Sequence, residues 1–278
     1  MPKSRLPADD VDLTSKIDRQ FVTALARGIN ILRCFTEKRF ELSTAEIANL
    51  TGLPQPTAWR LCYTLVKCGF LISMPSNDKM RLGMPVLSLG LSALSMANFG
   101  EVVQQEMQQL AIDFHAAVSI AVPDRLDMLI LKRARSDGML LVNLHVGSRL
   151  PMATSSLGWA YAASLPKQER DVLLEQLAAA HGSDWPVLYR HMQAAITEFE
   201  QCGYVINSSH YHPEINAIAV PIMGKQTKDT MVITCGGPAT LVQVSQLSGE
   251  VAPRLIELAN TIRAVNASAG AEGLPWVR

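Results

Sequence analysis

The chain has 278 residues, of which 48% are hydrophobic and 18% are charged. A chain of this length and composition can bury one large core or two moderate ones, which excludes bulk disorder. Lysine plus arginine and aspartate plus glutamate both number 25, so the overall charge identifies no acidic or basic partner.

The charges are unevenly distributed along the chain. Residues 19–83 contain nine Lys/Arg and four acidic residues, whereas residues 84–278 contain 13 basic and 17 acidic residues. A basic first third beside an acidic remainder is typical of a protein in which one module contacts nucleic acid. A merely solvated basic face is the alternative, and charge alone does not decide between them.

Targeting signals and cysteine usage indicate the compartment. The first 20 residues contain no apolar h-region, and the longest uncharged apolar stretch, residues 84–99, is too short to span a bilayer. The cysteines are Cys34, Cys62, Cys68, Cys202 and Cys235. Their odd number and the absence of a CxxC pair favour buried free thiols in a reducing compartment. We therefore expect a soluble, cytoplasmic protein with no membrane partner.

The N-terminal elements begin after a tail. Residues 1–18 are polar and aperiodic and predict a flexible segment. From Phe21, apolar residues recur at three- and four-residue steps and predict a first helix. The recurring residues are Val22, Leu25, Ala26, Ile29, Leu32 and Phe35. Ser43 and Glu46 have the spacing of a capping box, which predicts a second helix that ends at Gly52.

A third helix and a small hairpin complete this region. Pro54 and Pro56 lie at the start of the helix, where a missing N–H costs little, and Gly69 follows its end. Residues 70–73 and 80–82 predict two short strands around a turn at residues 75–78. This order of elements predicts a winged helix-turn-helix domain at residues 19–83.

Residues 84–99 form a charge-free helical pattern with apolar residues on almost every side. Such a helix needs burial on more than one side, so we expect a linker helix that also packs against a second subunit. A plain core helix of the larger domain is the alternative.

The remainder, residues 100–267, predicts an α+β domain on a mostly antiparallel sheet, followed by a flexible tail at residues 268–278. Helices are predicted from Val102 to Phe114 and at residues 169–180, 188–201 and 253–265. Strands are predicted at residues 118–122, 128–132, 140–145, 204–207, 217–222 and 231–235.

The outer face of the third helix has the residue types of a DNA-reading surface. Its inner stripe is Ala58, Leu61, Cys62, Leu65 and Val66, and the opposite face of such a helix enters the major groove. Glutamine can bind adenine, arginine can bind guanine or phosphate, and a threonine methyl can contact thymine. The start of the second helix and the wing are placed to bind phosphates. The candidate DNA-binding residues are Ser43, Thr44, Gln55, Pro56, Thr57, Trp59, Arg60, Tyr63, Lys79 and Arg81.

Three of these residues have a structural alternative. Arg60 could pair with an acidic residue, Thr57 could only help to cap the helix, and Trp59 could pack under the wing. The set as a whole is more specific than its members.

Six motifs carry a resemblance to a known family. They are ALARGINILRCF (24–35), LSTAEIANLTGLPQPTAWRLCYTLVKCGFL (42–71), MRLG (80–83), GSRLPMATSSLGWAYAASLP (147–166), CGYVINSSHYHPEINAIAVPI (202–222) and ITCGGPATLV (233–242). Over residues 20–265 the chain resembles an IclR-family bacterial transcriptional regulator. The resemblance implies a GAF-like effector-binding domain after the linker helix, in a homodimer or tetramer. A small organic acid, with aromatic acids among the candidates, would change how the protein holds a double-stranded DNA operator.

The resemblance also implies where the effector binds. Three segments would line the pocket, and the backbone amides after Leu150-Pro151 would bind a carboxylate. The implied effector-binding residues are Ser155, Ser156, Leu157, Asn207, Ala217, Thr234 and Gly236.

The chain departs from the family pattern in three places. Gly158-Trp159 replaces a Gly-Lys pair, Ser208-Ser209-His210 replaces acidic residues, and Glu214 replaces a glycine. The loss of acids and the presence of Trp159 and Tyr161 favour a larger, aromatic ligand. The alternative is that Trp159 only fills the core.

Enzyme motifs are scarce in the sequence. It contains no GxSxG, GxxxxGK[ST] or HExxH pattern. His210, His212 and Glu214 have a spacing that could bind a metal from a strand, although in a polar loop it is more often accidental. We therefore expect no enzyme activity, no metal and no cofactor. The alternative function is a small-molecule-binding protein or enzyme that retains a helix-turn-helix fold.

Overall fold

The computed structural model describes residues 20–75, 77–96, 99–137, 143–224 and 230–268. The chain divides into two compact units, residues 1–95 and 96–278, which are described separately. Within the described ranges, none of the helices has the length and apolar character needed to cross a membrane.

The first unit contains the predicted winged helix-turn-helix. Its helices are α1 (Thr23–Arg33), α2 (Thr44–Thr51) and α3 (Gln55–Lys67), and α4 (Met84–Met96) follows them. Its strands are β1 (Leu42–Ser43), β2 (Leu71–Met74) and β3 (Lys79–Leu82). The strands pair antiparallel in the order β1-β3-β2, so β2 and β3 form the wing.

The predicted helix boundaries of α2 and α3 are confirmed. The Ser43 amide donates to the Glu46 carboxylate at 2.8 Å, and the Glu46 amide donates to Ser43 Oγ at 3.2 Å, which is the capping box. Gly52, with φ of 68°, ends α2 in the left-handed conformation that a side chain disfavours. Pro54 occupies the N-cap position of α3, and Pro56 lies in the first turn of this helix.

The predicted first helix is observed as α1, and the core of this unit includes only part of its apolar pattern. The buried side chains of this region are Ile31, Cys34 and Phe35, which pack with Ile47, Cys62 and Leu71. Val22, Leu25 and Ile29 are instead exposed. Only the C-terminal end of α1 packs into the core, so helical spacing predicts the helix but not which of its apolar residues are buried.

Helix α4 is apolar and unpacked. Met84 is 75% exposed and Leu89 is 61% exposed, and none of the side chains described on this helix is buried. The alternative, in which this helix belongs to the core of the larger domain, is therefore wrong for the side chains that the structure describes.

The second unit is an antiparallel sheet with helices on both faces. Its strands are β4 (Ala117–Asp124), β5 (Asp127–Arg135), β6 (Arg149–Pro151), β7 (Val205–Ser208), β8 (Ile215–Ile222) and β9 (Met231–Pro238). Its helices are α5 (Gly100–Asp113), α6 (Ser156–Ser164), α7 (Lys167–His181), α8 (Trp185–Cys202), α9 (Val244–Gln246) and α10 (Ala252–Ser268). The strand order is β6-β5-β4-β9-β8-β7, with every neighbouring pair antiparallel.

Two hydrophobic cores lie on opposite faces of this sheet because side chains alternate along each strand. On β9, Ile233 and Cys235 pack with α5 and α10, whereas Val232 packs with α6 and α8. The predicted α+β class with a mostly antiparallel sheet is confirmed.

One predicted strand and the predicted burial of the cysteines need correction. Residues 140–142 of the predicted strand 140–145 lie outside the described residues, and residues 143–145 form no strand. The sheet instead gains the short β6. Among the cysteines, Cys34, Cys62 and Cys235 are buried, but Cys68 is exposed at the end of α3.

Candidate functional site

The outer face of α3 presents most of the candidate DNA-binding residues to solvent. Gln55, Pro56 and Arg60 are exposed, and Trp59 and Tyr63 are 56% and 51% exposed. The opposite face is anchored, since Ala58 and Cys62 are buried in the core.

Two aromatic rings are stacked along this face. The ring centroids of Trp59 and Tyr63 lie 5.5 Å apart with an angle of 22° between their planes. Lys67 places Nζ 5.4 Å from the Tyr63 centroid. The three residues follow one another at four-residue spacing, which aligns them on one side of a helix. We call Trp59, Tyr63 and Lys67 the aromatic ridge. Its exposure shows that the alternative for Trp59, burial under the wing, is wrong.

The other two alternatives are also absent from the structure. Among the described residues, no acidic side chain forms an ion pair with Arg60, and Thr57 makes no side-chain capping bond to α3. Both side chains lie beside Trp59 in a groove that also includes Ala24 of α1.

At the start of α2, the carboxylate of Glu46 accepts hydrogen bonds from the N-cap residue Ser43. Ser43 Oγ donates to Glu46 at 2.9 Å in addition to accepting from the Glu46 amide. These bonds to Ser43 hold the pKa of Glu46 below its usual value. The Ser43 hydroxyl is thus committed within the helix cap, whereas Thr44 faces the groove between α3 and the wing. In the wing, Arg81 is exposed and Lys79 is half-buried.

The second unit contains a cavity of about 70 Å³ between the sheet and the start of α6. All of the effector-binding residues implied by the sequence line it, and they are Ser155, Ser156, Leu157, Asn207, Ala217, Thr234 and Gly236. Three polar residues that the sequence analysis missed also line it, namely Ser119, Arg133 and Tyr211.

The N-terminus of α6 faces this cavity with free amides. Ser155 caps the helix by accepting from the Gly158 amide at 3.2 Å, and its hydroxyl donates to the Pro151 carbonyl at 2.7 Å. Within the described chain, the amides of Ser156 and Leu157 have no acceptor, as expected for the first turn of a helix. Such amides favour an anion or a carbonyl oxygen.

Gly158 allows this arrangement because α6 approaches the preceding turn closely. A Cβ at position 158 would lie 2.2 Å from Met152 Cα, which is far inside van der Waals contact. The glycine of the family's Gly-Lys pair is therefore required here whatever residue follows it.

Hydroxyl groups continue the polar lining across the sheet. Thr234 Oγ1 donates to the Ile218 carbonyl at 2.8 Å and lies 3.3 Å from Ser156 Oγ. Because the Thr234 proton is already committed, Ser156 is the donor between the two hydroxyls. This 3.3 Å bond is long, so Ser156 can redirect its proton to a ligand at small cost.

Asn207 joins the two loops beside the cavity. It is 1% exposed, and its Nδ2 donates to the Thr154 carbonyl at 2.7 Å. Its Oδ1 accepts from the amides of His210 at 3.1 Å and Tyr211 at 3.2 Å. The side chain implied as a ligand contact is therefore a connector that fixes both the start of α6 and the loop after β7.

Arg133 brings a positive charge into the cavity wall. One Nη donates to Ser119 Oγ at 3.0 Å, whereas Nε is buried with no hydrogen-bond partner. Burial, and secondly the nearby Arg135, lower the pKa of Arg133 from its ordinary value. The sequence analysis ended the strand at residue 132 and so missed this residue, although β5 continues to Arg135.

Trp159 and Tyr161 do not line the cavity. Trp159 is 3% exposed, and its indole nitrogen donates to the Ala153 carbonyl at 2.9 Å within the core. Tyr161 packs against the same core. The alternative that Trp159 fills the core is the observed one, so these two residues give no support for a larger ligand.

The histidines of the β7–β8 loop show no metal-binding geometry. In the ranges that the structure describes, no three His, Cys, Asp or Glu side chains lie close enough to hold a metal. His210 instead pairs with His191 of α8, with ring centroids 4.0 Å apart.

Comparison with known proteins identifies both units. Residues 24–72 match the IclR helix-turn-helix domain, and residues 91–264 match the C-terminal domain of the bacterial transcriptional regulator IclR. The regulator TsaQ1/TsaQ2 of Comamonas testosteroni is 29% identical over 245 residues, which cover 87% of this chain and 88% of the relative.

Two solved structures extend this similarity to the fold. An IclR-family regulator from Brucella abortus is 37% identical, with a TM-score of 0.86 over 97% of this chain and all of that chain. An IclR homologue from Microbacterium hydrocarbonoxydans, complexed with 4-hydroxybenzoate, is 23% identical, with a TM-score of 0.65 over 88% of this chain and 99% of that chain. The matched domains are those of ligand-responsive DNA-binding regulators and not of enzymes, and the chain belongs to the IclR family of bacterial transcriptional regulators.

Proposed function

We propose that the cavity of the second unit binds a small organic acid and that this binding modulates how the first unit holds its operator. The observation that carries the proposal is the convergence of Ser155, Ser156 and Leu157 with Thr234 around one cavity. The free amides of Ser156 and Leu157 and the Ser156 hydroxyl are suited to carboxylate oxygens. Among the described lining residues none is acidic, so nothing in that set repels an anion.

The size of the cavity bears on the class of acid. Its volume of about 70 Å³ is less than half of the roughly 150 Å³ in which an apolar cavity holds benzene. A compact aliphatic acid therefore fits without rearrangement, whereas an aromatic acid requires side chains such as Leu144 or Tyr211 to move. The Microbacterium homologue is complexed with 4-hydroxybenzoate, which is therefore the aromatic compound to test first.

For the DNA contact, we propose that the outer face of α3 enters the major groove. Gln55 and Arg60 are exposed at its N-terminal half and can bind base edges. The aromatic ridge, beside them on the same face, is placed to pack on sugar or base surfaces. Thr44, Lys79 and Arg81 would bind phosphates, and Ser43 would contribute mainly by holding α2 in place.

The exposed apolar helix α4 supports a homodimer or a dimer of dimers. Leu87, Leu89 and Leu91 are all more than half exposed, and a helix that is apolar on every side needs a covering surface. We propose that a second copy covers it. Residues 19–83 would then be the DNA-binding domain, residues 84–99 the linker and residues 100–267 the effector-binding domain.

Two measurements on the full chain test this function. Gel-shift titration of the duplex upstream of the gene should give specific binding that weakens steeply with salt, with a log–log slope of about −0.9 per neutralised phosphate. Binding to an unrelated duplex of equal length is the control. Absence of specific binding at low salt, with turnover of an added acid, would favour the alternative of an enzyme that retains a helix-turn-helix fold.

A thermal-shift screen tests the ligand. Succinate, propionate and 4-hydroxybenzoate cover the compact and aromatic classes, and a ligand at 100 times its Kd stabilises the folded state by about 2.7 kcal/mol. An acid that raises the Tm and changes the operator affinity supports the proposal. If no acid raises the Tm, the cavity is not an organic-acid site.

A further inference from the structure

The charge in the cavity wall is concentrated at one residue. Arg133 is the only charged side chain among the described residues that line the cavity. Within the described chain it forms no ion pair with a carboxylate, and its one hydrogen bond is to the neutral Ser119. Arg133 is half-buried, with its Nε fully buried. A partly desolvated cation without a counter-ion is unfavourable, so a ligand that supplies the negative charge is favoured there.

The guanidinium also has one complete edge available. The bond to Ser119 uses Nη1, and Nε, on the opposite edge, has no partner although it is buried. Nε and Nη2 together form the fork that binds a carboxylate through two parallel hydrogen bonds. Within the described chain, the structure therefore leaves a donor pair of Arg133 without a protein partner, in addition to its positive charge.

The strand register connects Arg133 to the start of α6. Ser119 on β4 lies opposite Arg133 of β5 on one side and opposite Thr234 of β9 on the other. Thr234 in turn lies 3.3 Å from Ser156 Oγ. Since neighbouring strands are about 4.8 Å apart, this polar row spans roughly 10 Å from β5 to β9 across the cavity floor.

The two ends of the row differ in charge but both favour oxygen acceptors. Arg133 offers a full positive charge, whereas α6 offers the neutral amides of Ser156 and Leu157 with a partial positive charge from the helix dipole. A carboxylate gains more at the cation, which leaves the amides for a second oxygen on the same molecule.

We propose that Arg133 binds the carboxylate of the effector and that the N-terminus of α6 binds a second oxygen group of the same molecule. The effector is thus a dicarboxylate or an acid with a distant hydroxyl or keto group. This assignment rests on the proposed function of the cavity and adds to it the residue that selects the charge of the ligand.

The experiment compares Arg133→Gln with Arg135→Gln in the full chain. Arg135 lies on the same strand, is exposed and does not line the cavity, so its substitution is a matched loss of one positive charge. The acid probes are succinate and 4-hydroxybenzoate. Their neutral analogues are succinamide and 4-hydroxybenzamide. Propionate and benzoate are the analogues that lack the second oxygen group. Affinity is measured by calorimetric titration and ligand-induced Tm.

Arg133→Gln should weaken the binding of the acid that binds the wild type by about 10- to 100-fold, because a hydrogen-bonded charge pair is lost. Arg135→Gln should change the affinity for that acid less than twofold. The neutral amide should bind the wild type at least tenfold more weakly than its acid, and the partner without the second oxygen should also bind more weakly. Arg133→Lys should be intermediate, since it keeps the charge but loses the fork.

The unliganded Tm distinguishes a binding role from a structural one. Because the half-buried Arg133 has no counter-ion in the described chain, Arg133→Gln should leave the Tm unchanged or raise it. A lower Tm would show that Arg133 supports the fold. The role of Arg133 in binding would then be tested by comparing the acid affinity of Arg133→Lys with that of the wild type.

The outcomes separate this inference from the proposed function. An acid that binds wild type and Arg133→Gln equally overturns the role of Arg133 and leaves the cavity as an acid site. Equal binding of propionate and succinate, or of benzoate and 4-hydroxybenzoate, overturns the second oxygen group. If the wild type binds an amide as well as its acid, or binds none of these acids, both the inference and the organic-acid function are overturned.

Discussion

The outer face of α3 and the lining of the cavity carry their candidate residues in different ways. On α3, the side chains of Gln55 and Arg60 extend from a helix that is already anchored by its opposite face. In the cavity, Ser155 caps α6 and Asn207 holds two loops. The first surface can change without affecting the fold, whereas most changes in the second affect both binding and stability.

Arg133 is the exception within the cavity. Its single bond to Ser119 contributes little to the fold, and its burial opposes the charged state. It therefore resembles the α3 residues in being available for function, although it lies half-buried in the cavity wall of the other unit.

The largest expected effect tests the structural side of this comparison. Asn207→Ala removes three hydrogen bonds of a buried side chain and takes these partners from the backbone groups of Thr154, His210 and Tyr211. We expect the free energy of unfolding of the second unit to fall by about 3 kcal/mol, measured by urea denaturation. The neighbouring exposed Ser208, changed to Ala, should alter it by less than about 0.5 kcal/mol. If Asn207→Ala left the free energy of unfolding unchanged, the two loops would not depend on the Asn207 side chain.

The next effect tests the functional side. Arg60→Ala should weaken operator binding by about 1–3 kcal/mol if Arg60 contacts a base. Its free energy of unfolding should stay within about 0.5 kcal/mol of wild type, because the described structure shows no ion pair to lose. Lys38→Ala, an exposed residue outside α3, controls for net charge in the same gel-shift titration. If both variants bind equally well, Arg60 is not part of the DNA contact.

The smallest effect concerns a residue in which structure and function meet. Ser43→Ala should destabilise the first unit by about 1 kcal/mol through loss of the α2 cap. Glu46 has a pKa below its ordinary value of 4.5 when folded, so its contribution is complete above that pH and is lost as the pH falls through the folded pKa. Wild type and Glu46→Gln should therefore differ at pH 7 and converge below pH 4.5 in urea denaturation. A difference that stays constant with pH would mean that Glu46 is not part of the cap.

Local chemistry explains which features the sequence could predict. The capping box at Ser43, the terminal glycines Gly52 and Gly69 and the proline start of α3 depend on residues that are adjacent in the chain. The same holds for the strand pattern of β8 and β9, whose apolar residues alternate or run continuously.

Long-range packing decided the features that the sequence missed. The exposed stripe at Val22, Leu25 and Ile29 has perfect helical spacing, yet only the end of α1 reaches the core. Arg133 follows Lys132 in a charged segment that resembles the end of a strand, and its importance arises only from its partners on β4 and β9. Trp159 was equally ambiguous, because local sequence does not show whether an indole faces a cavity or the core.

The sheet of the second unit consists of two halves that the chain builds separately. β4, β5 and β6 are neighbours in one half, and β7, β8 and β9 form a continuous meander in the other. Among the described strands, only the β4–β9 pairing joins the two halves. That pairing links segments far apart in the chain, so its formation carries a larger loop-closure entropy than the local pairings. Arg133 and Thr234 lie on opposite sides of this seam. A ligand that contacts both thus cross-links the halves without a covalent bond, and its binding should slow amide hydrogen exchange most strongly along β4 and β9.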